Sequence, residues 1–155
     1  MDIHAVFARD DIRLGVEALT KPNLLRHLAR HAAERTSLPA ATVLTALAAR
    51  EKLGSTGLGD GIAIPHARLA GLQRPFGLAI RLKEPCDFEA MDGEPVDLVV
   101  LLLVPPTMNS EHLTILSRVA RTLRDPVIAS QLRRAPDRAA FLERLKGEGS
   151  RERAI

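Results

Sequence analysis

Hydrophobic and polar positions alternate with clear periods along most of the chain. From Asp11 to Glu17, Ile12, Leu14 and Val16 recur every second residue, which predicts a strand with these side chains on one side. A helix follows: Thr20 is placed to cap it, and Leu24, Leu25, Leu28, Ala29 and Ala32 form an apolar stripe at helical spacing. Pro39 suits the first turn of a second helix with the stripe Val43, Leu44, Leu47 and Ala48, which must end before Gly54. Ile62 to Arg68 reads as a strand. Phe76, Leu78, Ile80 and Leu82 alternate with Gly77, Ala79, Arg81 and Lys83, so a further strand with one buried face is expected there, followed by a hairpin turn at Asp92-Gly93.

Leu98 to Val104 is apolar at every position, as a central strand covered by helices on both faces must be, and Pro105-Pro106 stops it. Asn109 or Ser110 is expected to cap a helix carrying Leu113, Leu116, Val119, Ala120 and Leu123. Asp125-Pro126 starts another through Ile128 and Leu132. A last helix begins near Pro136 and buries Phe141, Leu142 and Leu145. Strands interleaved with helices around one all-apolar strand predict an α/β fold, a single domain over 1–146 with a central mixed β-sheet sandwiched by α-helices. The polar stretch 147–155 is expected to be a disordered tail.

Composition narrows the function classes. A chain of 155 residues with 46% hydrophobic and 26% charged residues has the make-up of a soluble globular protein and can bury a sizeable core. The apolar run ending at Val104 is far shorter than the roughly 20 residues of a membrane span, and no signal-peptide core opens the chain, so no membrane insertion and a cytoplasmic location are expected. Cys86 is the one cysteine and has no internal disulfide partner, which leaves a buried small hydrophobe as its default role. With no Trp, no Tyr and 4 Phe, platforms for stacking nucleic-acid bases are nearly absent, so no nucleic-acid partner is expected. The formal charge of +3 rests on many arginines, clustered at Arg118, Arg121, Arg124, Arg133, Arg134 and Arg138. These read as solvated helix faces or as a docking surface for an acidic partner.

The candidate chemistry lies in the run from Gly57 to Ala67. Its GxGxG spacing follows a helix-like segment, unlike a dinucleotide fingerprint, and no Gly-Lys-Ser/Thr follows to make a P-loop. What the run delivers is His66, on one strand face with Ile62 and Ile64. Pro65 has no amide to give to a ladder, so His66 is expected at a sheet edge or strand end, reachable from solvent. An imidazole with a pKa near 6.5 is about three-quarters neutral at pH 7, with a ring nitrogen free to attack phosphorus. A polar residue at the rim of the core is the bland alternative.

Other side chains bear on that choice. His112 falls in the first turn of a helix, where exposed amides and the positive dipole end favour a neutral ring and attract an anion by about 0.3–1 kcal/mol. Alternatively it is a partly exposed helix residue. Arg50, at the C-terminal end of the second helix, either complements the helix dipole or grips a phosphate or carboxylate with its planar donors. Ser55 and Thr56 would add hydroxyl donors for a phosphate, or simply form the turn. His27 and His31 stand four apart on the first helix, but no Cys or carboxylate set accompanies them, so surface histidines are expected and no metal site.

Taken together, Glu51, Leu58-Gly59, Ile62-Ala63-Ile64-Pro65-His66 and Ala67 resemble the signature of the EIIA components of the bacterial phosphoenolpyruvate-dependent phosphotransferase system, of the fructose, mannitol and nitrogen-regulatory class. The resemblance extends through Arg50-Glu51-Lys52-Leu53-Gly54-Ser55-Thr56-Gly57, Pro95-Val96-Asp97-Leu98 and Glu111-His112-Leu113. It implies that His66 is the phosphorylated histidine, His112 its active-site neighbour and Arg50 a conformation-sensitive cation. It also implies a mixed sheet between helices, no metal or organic cofactor, and an HPr-like phosphocarrier as donor, itself charged by an enzyme I. With no fused EIIB or EIIC part, the chain resembles most the nitrogen-regulatory branch, whose phosphorylation state alters binding to potassium-transport and sensor-kinase proteins. A sugar-dedicated EIIA passing phosphate to EIIB, and a binding module for an anion or protein that is never phosphorylated, stand as alternatives.

Overall fold

The computed structural model describes residues 5–107 and 109–147. Its strands are β1 (Ile12–Val16), β2 (Gly57–Gly59), β3 (Ile62–Ala63), β4 (His66–Arg68), β5 (Phe76–Cys86) and β6 (Val96–Val104). Its helices are α1 (Lys21–Thr36), α2 (Ala40–Lys52), α3 (Asn109–Arg124), α4 (Pro126–Arg133) and α5 (Arg138–Leu145). The strands form one 6-stranded mixed sheet in the order β1-β5-β6-β3-β2, with β4 also paired to β6. β5 runs antiparallel to β6, and β1 runs parallel to β5. β3 and β4 both run parallel to β6. The α/β sandwich expected from the strand and helix periods is the fold observed; the expected tail lies, beyond Gly147, outside the described residues.

Two apolar clusters flank the sheet, and β6 feeds both. Val99, Leu101 and Leu103 join Leu24, Leu28, Val43 and Leu47 of α1 and α2 in one cluster. Leu98, Val100 and Leu102 join Ile115, Val119, Ile128, Leu132 and Phe141 of α3, α4 and α5 in the other. The helix starts follow their sequence signals: Thr20 Oγ1 accepts from the Asn23 amide, and the Asp125 carboxylate accepts from the amides of Val127 and Ile128 ahead of Pro126. α3 begins at Asn109, so Asn109 and Ser110 are its first helical residues rather than its cap, and His112 lies in its first turn.

Elsewhere the alternation misleads. Ile12 and Leu14 pack against the α3–α5 cluster, but Val16 packs against the other. A bulge is the reason: Leu14 pairs with Arg81 and Val16 with Leu82, leaving Gly15 (φ 70°) as an extra residue that turns the strand over. On β5 the face carrying Gly77 and Ala79 is buried as well as the face carrying Leu78 and Ile80. Small residues stand there because neighbours come close: a Cβ on Gly77 would lie 2.5 Å from Phe7 Cε1. His31 is also inside, at 7% exposure, rather than on the surface.

Phe7 is itself buried, so its ring has little room to yield. Gly77→Ala is therefore expected to cost about 1–3 kcal/mol of stability in denaturant unfolding. In a Phe7→Ala background the same methyl group should cost far less; an equal cost in both backgrounds would show that the ring is not the obstacle.

Candidate functional site

The glycine-rich run is a hairpin. β2 and β3 pair antiparallel through Asp60 (φ 56°) and Gly61 (φ 80°), both in the left-handed region that a tight hairpin turn needs, for which Asp-Gly is a preferred pair. The turn is pinned from outside. Arg133 Nη2 donates to the Asp60 carbonyl at 2.7 Å while Nε holds both Asp97 carboxylate oxygens, at 3.1 and 3.0 Å. The Asp60 amide donates to Asp92 Oδ2 at 3.0 Å. Arg133 is thus committed to the fold, although the arginine cluster as a whole reads as solvated.

The segment 62–68 does not form one strand. Ala63 pairs with Val99 and His66 with Leu102, so the register runs on without a shift, but Ile64 and Pro65 belong to no ladder. Pro65 has no amide to offer, yet its carbonyl accepts from the Leu102 amide at 3.0 Å. The Ile64 amide turns to the Thr56 carbonyl at 3.0 Å. Among the described residues β4 pairs with β6 alone, so His66 stands at the sheet edge expected from Pro65.

His66 is half-buried, and its ring is held at both nitrogens. Nδ1 lies 2.8 Å from the Ile64 carbonyl, which can only accept, so Nδ1 carries the proton. Nε2 then bears the lone pair, and Arg50 Nε donates to it at 3.3 Å. Arg50 Nη1 meanwhile donates to the Gly54 carbonyl at 2.9 Å, so one guanidinium both closes the end of α2 and faces His66. From the other side the His112 ring approaches with a centroid distance of 5.6 Å and an interplanar angle of 51°. His112 is buried, and its Nδ1 has no hydrogen-bond partner among the described residues.

Ser55 and Thr56 stay out of this arrangement. Ser55 Oγ donates to the Phe88 carbonyl at 2.8 Å and accepts from the Gly57 amide at 3.1 Å. Thr56 is buried, and its hydroxyl donates to Glu51 Oε2 while its amide donates to Oε1 at 3.1 Å. Neither residue lines the open pocket of about 400 Å³ in front of His66, which Arg50, Leu53, His66, Arg68 and His112 enclose with Ala46 and Ala49. Both hydroxyls brace the turn after α2, the plain turn-forming role.

Arg68 and Glu51 have roles that spacing alone did not suggest. Arg68 follows His66 by one strand period, a signal that could have placed it beside the pocket. Glu51 receives Lys21 Nζ at 3.0 Å as well as both Thr56 donors, and that ammonium sits 4.5 Å from the Phe88 ring centroid. The carboxylate therefore fastens α1, α2 and the start of β2 together directly beside Arg50. Ala46, Ala49 and Leu53 share a helical face, and Leu53 is 84% exposed at the rim.

The family model for the phosphoenolpyruvate-dependent sugar phosphotransferase system, EIIA 2, matches residues 5–148. The chain belongs to that EIIA family. It is 46% identical over 141 residues to the nitrogen regulatory protein of Bradyrhizobium diazoefficiens, covering 91% of this chain and 92% of that protein. The crystal structure of nitrogen regulatory protein IIA-Ntr from Neisseria meningitidis superposes with a TM-score of 0.89 at 38% identity, covering 92% of this chain and 98% of that one. IIA mannitol from Escherichia coli shares the fold at a TM-score of 0.76 and 23% identity, over 90% of this chain and 98% of that one. This EIIA protein is accordingly more similar to the nitrogen regulatory relatives than to the mannitol protein. None of the described helices is long and apolar enough to cross a membrane.

Burial is the main reason both site histidines ionise below the ordinary imidazole value of about 6.5. At His66 the Ile64 hydrogen bond opposes this, Arg50 adds to it and Glu51 opposes it. At His112 the neighbouring His66 and Arg68 add to it. Between about 6.5 and the lower folded values the unfolded chain binds protons that the folded EIIA resists, so these rings withdraw stability as pH falls through that window and contribute no slope above it. Nitrogen NMR of the rings should show both titrating below about 6.5, with His66 protonated on Nδ1 at neutral pH. A midpoint at or above that value, or a proton on Nε2, would contradict the geometry.

Proposed function

We propose that this EIIA protein is a phosphoryl carrier of the nitrogen-related branch, taking a phosphoryl group on His66 Nε2 from an HPr-like phosphocarrier charged by an enzyme I. Its phosphorylation state then governs binding to regulatory targets of the potassium-transport and sensor-kinase kind, in the cytoplasm. The observation that carries this reading is the tautomer of His66. With Nδ1–H anchored on the Ile64 carbonyl, Nε2 has its lone pair directed at the pocket, between Arg50 and the His112 ring.

The transfer follows from those groups. The Nε2 lone pair forms a bond to phosphorus as the bond from phosphorus to the carrier's histidine nitrogen breaks, and that electron pair returns to the carrier ring. Nδ1 keeps its proton throughout, and the positive charge that develops on the His66 ring is stabilised by the carbonyl dipole of Ile64. Arg50 Nε, which meets the lone pair before transfer, turns its donor to a phosphoryl oxygen afterwards, with Arg68 supplying further positive charge at the pocket mouth. Leu53, exposed beside Ala46 and Ala49, gives the docking carrier an apolar rim around the reacting nitrogen. The identity to nitrogen regulatory proteins supports the regulatory branch over a sugar-dedicated one.

Incubation with phosphoenolpyruvate, enzyme I and the HPr-like carrier should yield an acid-labile mass gain of one phosphoryl group that His66→Ala abolishes. Labelling of His66→Ala at the same stoichiometry would overturn the assignment, and rapid onward transfer to an EIIB would turn the reading towards sugar transport. His112→Ala should slow the transfer by about 10- to 100-fold, the scale of one lost active-site contact, with a smaller proportional effect on thermal stability. Parallel loss of stability and transfer would make His112 a core residue instead.

A further inference from the structure

At the opposite edge of the sheet from His66, β1 and α1 enclose an open cavity of about 430 Å³, within the range of small-molecule sites. Arg13 from β1 and His27, Arg30 and His31 from α1 line it, with Glu17 and Glu34. The Gly15 bulge opens its strand side: nothing lies within 4 Å of where a Cβ on Gly15 would be.

Two arginines and two glutamates line this cavity, so its formal charges balance, but the arginines stand without partners. Among the described residues Arg13 and Arg30 form no salt bridge or hydrogen bond. Asp11, the nearby buried carboxylate, is taken by Arg35 Nε at 2.8 Å. Glu17 is met by Lys83 at 3.4 Å, and Glu34 is exposed. Of the lining side chains, Arg13 Nε and His31 Nε2 are buried without a hydrogen-bond partner, although His31 Nε2 lies 3.4 Å from Asp11 Oδ1. Buried polar groups are seldom left in that state, and since Asp11 already stands before His31, it is Arg13 Nε that marks a place where an acceptor belongs. Burial and then Arg30, His31 and Arg13 hold His27 below the ordinary imidazole value against the pull of Glu34, while burial and Arg13 do so for His31 against Asp11 and Glu34.

We infer that this cavity is a binding site for a small multivalent anion bearing carboxylate or phosphate groups, gripped by Arg13 and Arg30 with the His27 and His31 rings beside them. Guanidinium forks donate in parallel to two oxygens of either group. The site is separate from the phosphoryl pocket and needs no phosphorylation of His66.

The test is a nitrogen-edited NMR titration of the whole chain in about 0.15 M chloride, where long-range attraction is screened, with citrate and with inorganic phosphate as separate probes. Saturable shifts at Gly15, His27, Arg30 and His31 are expected with a Kd of about 1 mM or tighter for at least one probe, and which probe saturates names the group recognised. Arg30→Gln, at an exposed position, should weaken binding about tenfold while leaving the thermal midpoint unchanged, and Arg13→Gln should weaken it at least as much. Three results would overturn the site: shifts that stay linear and spread over the basic surface, shifts confined to His66, Arg50 and His112, or a Kd unmoved by Arg30→Gln.

Discussion

The structure depends on burying β6 on both faces. A strand with an apolar side chain at every position from Leu98 to Val104 must be sealed above and below. Each fully covered Val or Leu contributes about 1.5–3 kcal/mol relative to exposure, so neither layer of helices is dispensable. α1 and α2 seal one face, and α3, α4 and α5 the other. Where the sheet ends at β4 the two layers come within reach of the same side chain. That is how His66 meets Arg50 from α2 and His112 from α3, residues far apart in sequence and on opposite sides of the core.

Within that frame, small local restraints decide the chemistry of the ring. Pro65 interrupts the ladder without shifting its register, which leaves the Ile64 carbonyl free to accept a hydrogen bond from Nδ1–H. Glu51 holds the turn after α2 through Thr56 and is itself held by Lys21, so the helix end that carries Arg50 is fixed relative to the strand that carries His66. Arg133 and Asp92 do the same for the hairpin turn leading into β3. The Asp92 carboxyl is held below its usual range chiefly by the amides of Asp60 and Glu94, so it stays a charged acceptor for the turn.

Much of this was legible in the residues, and the exceptions share a cause. Stripes such as Leu24, Leu28 and Ala32, the Asp125 cap and the wholly apolar β6 are local signals tied to one element, and they gave the right helices, the right central strand and the edge position of His66. What sequence could not weigh was the closeness of distant neighbours. Gly77 and Ala79 read as a solvent face because smallness looks like polarity in an alternation, whereas here it makes room for Phe7 and the α3–α5 layer. Ser55 and Thr56 carry the right donors for a phosphate, but Phe88 and Glu51 had already claimed them. Val16 changed sides because one glycine took a positive φ, which no hydrophobic period records.

That bulge also matters to the free chain in a crowded solution. β1 closes the sheet order at one end, and an edge strand is a template on which another chain can add by main-chain hydrogen bonds. Gly15 breaks its ladder after a few residues, twists the backbone beyond it, and leaves Arg13 and Glu17 on either side of the break. A strand arriving from another molecule finds no continuous register to extend. The kink that moves Val16 into the other layer therefore also guards this border of the sheet against edge-to-edge growth.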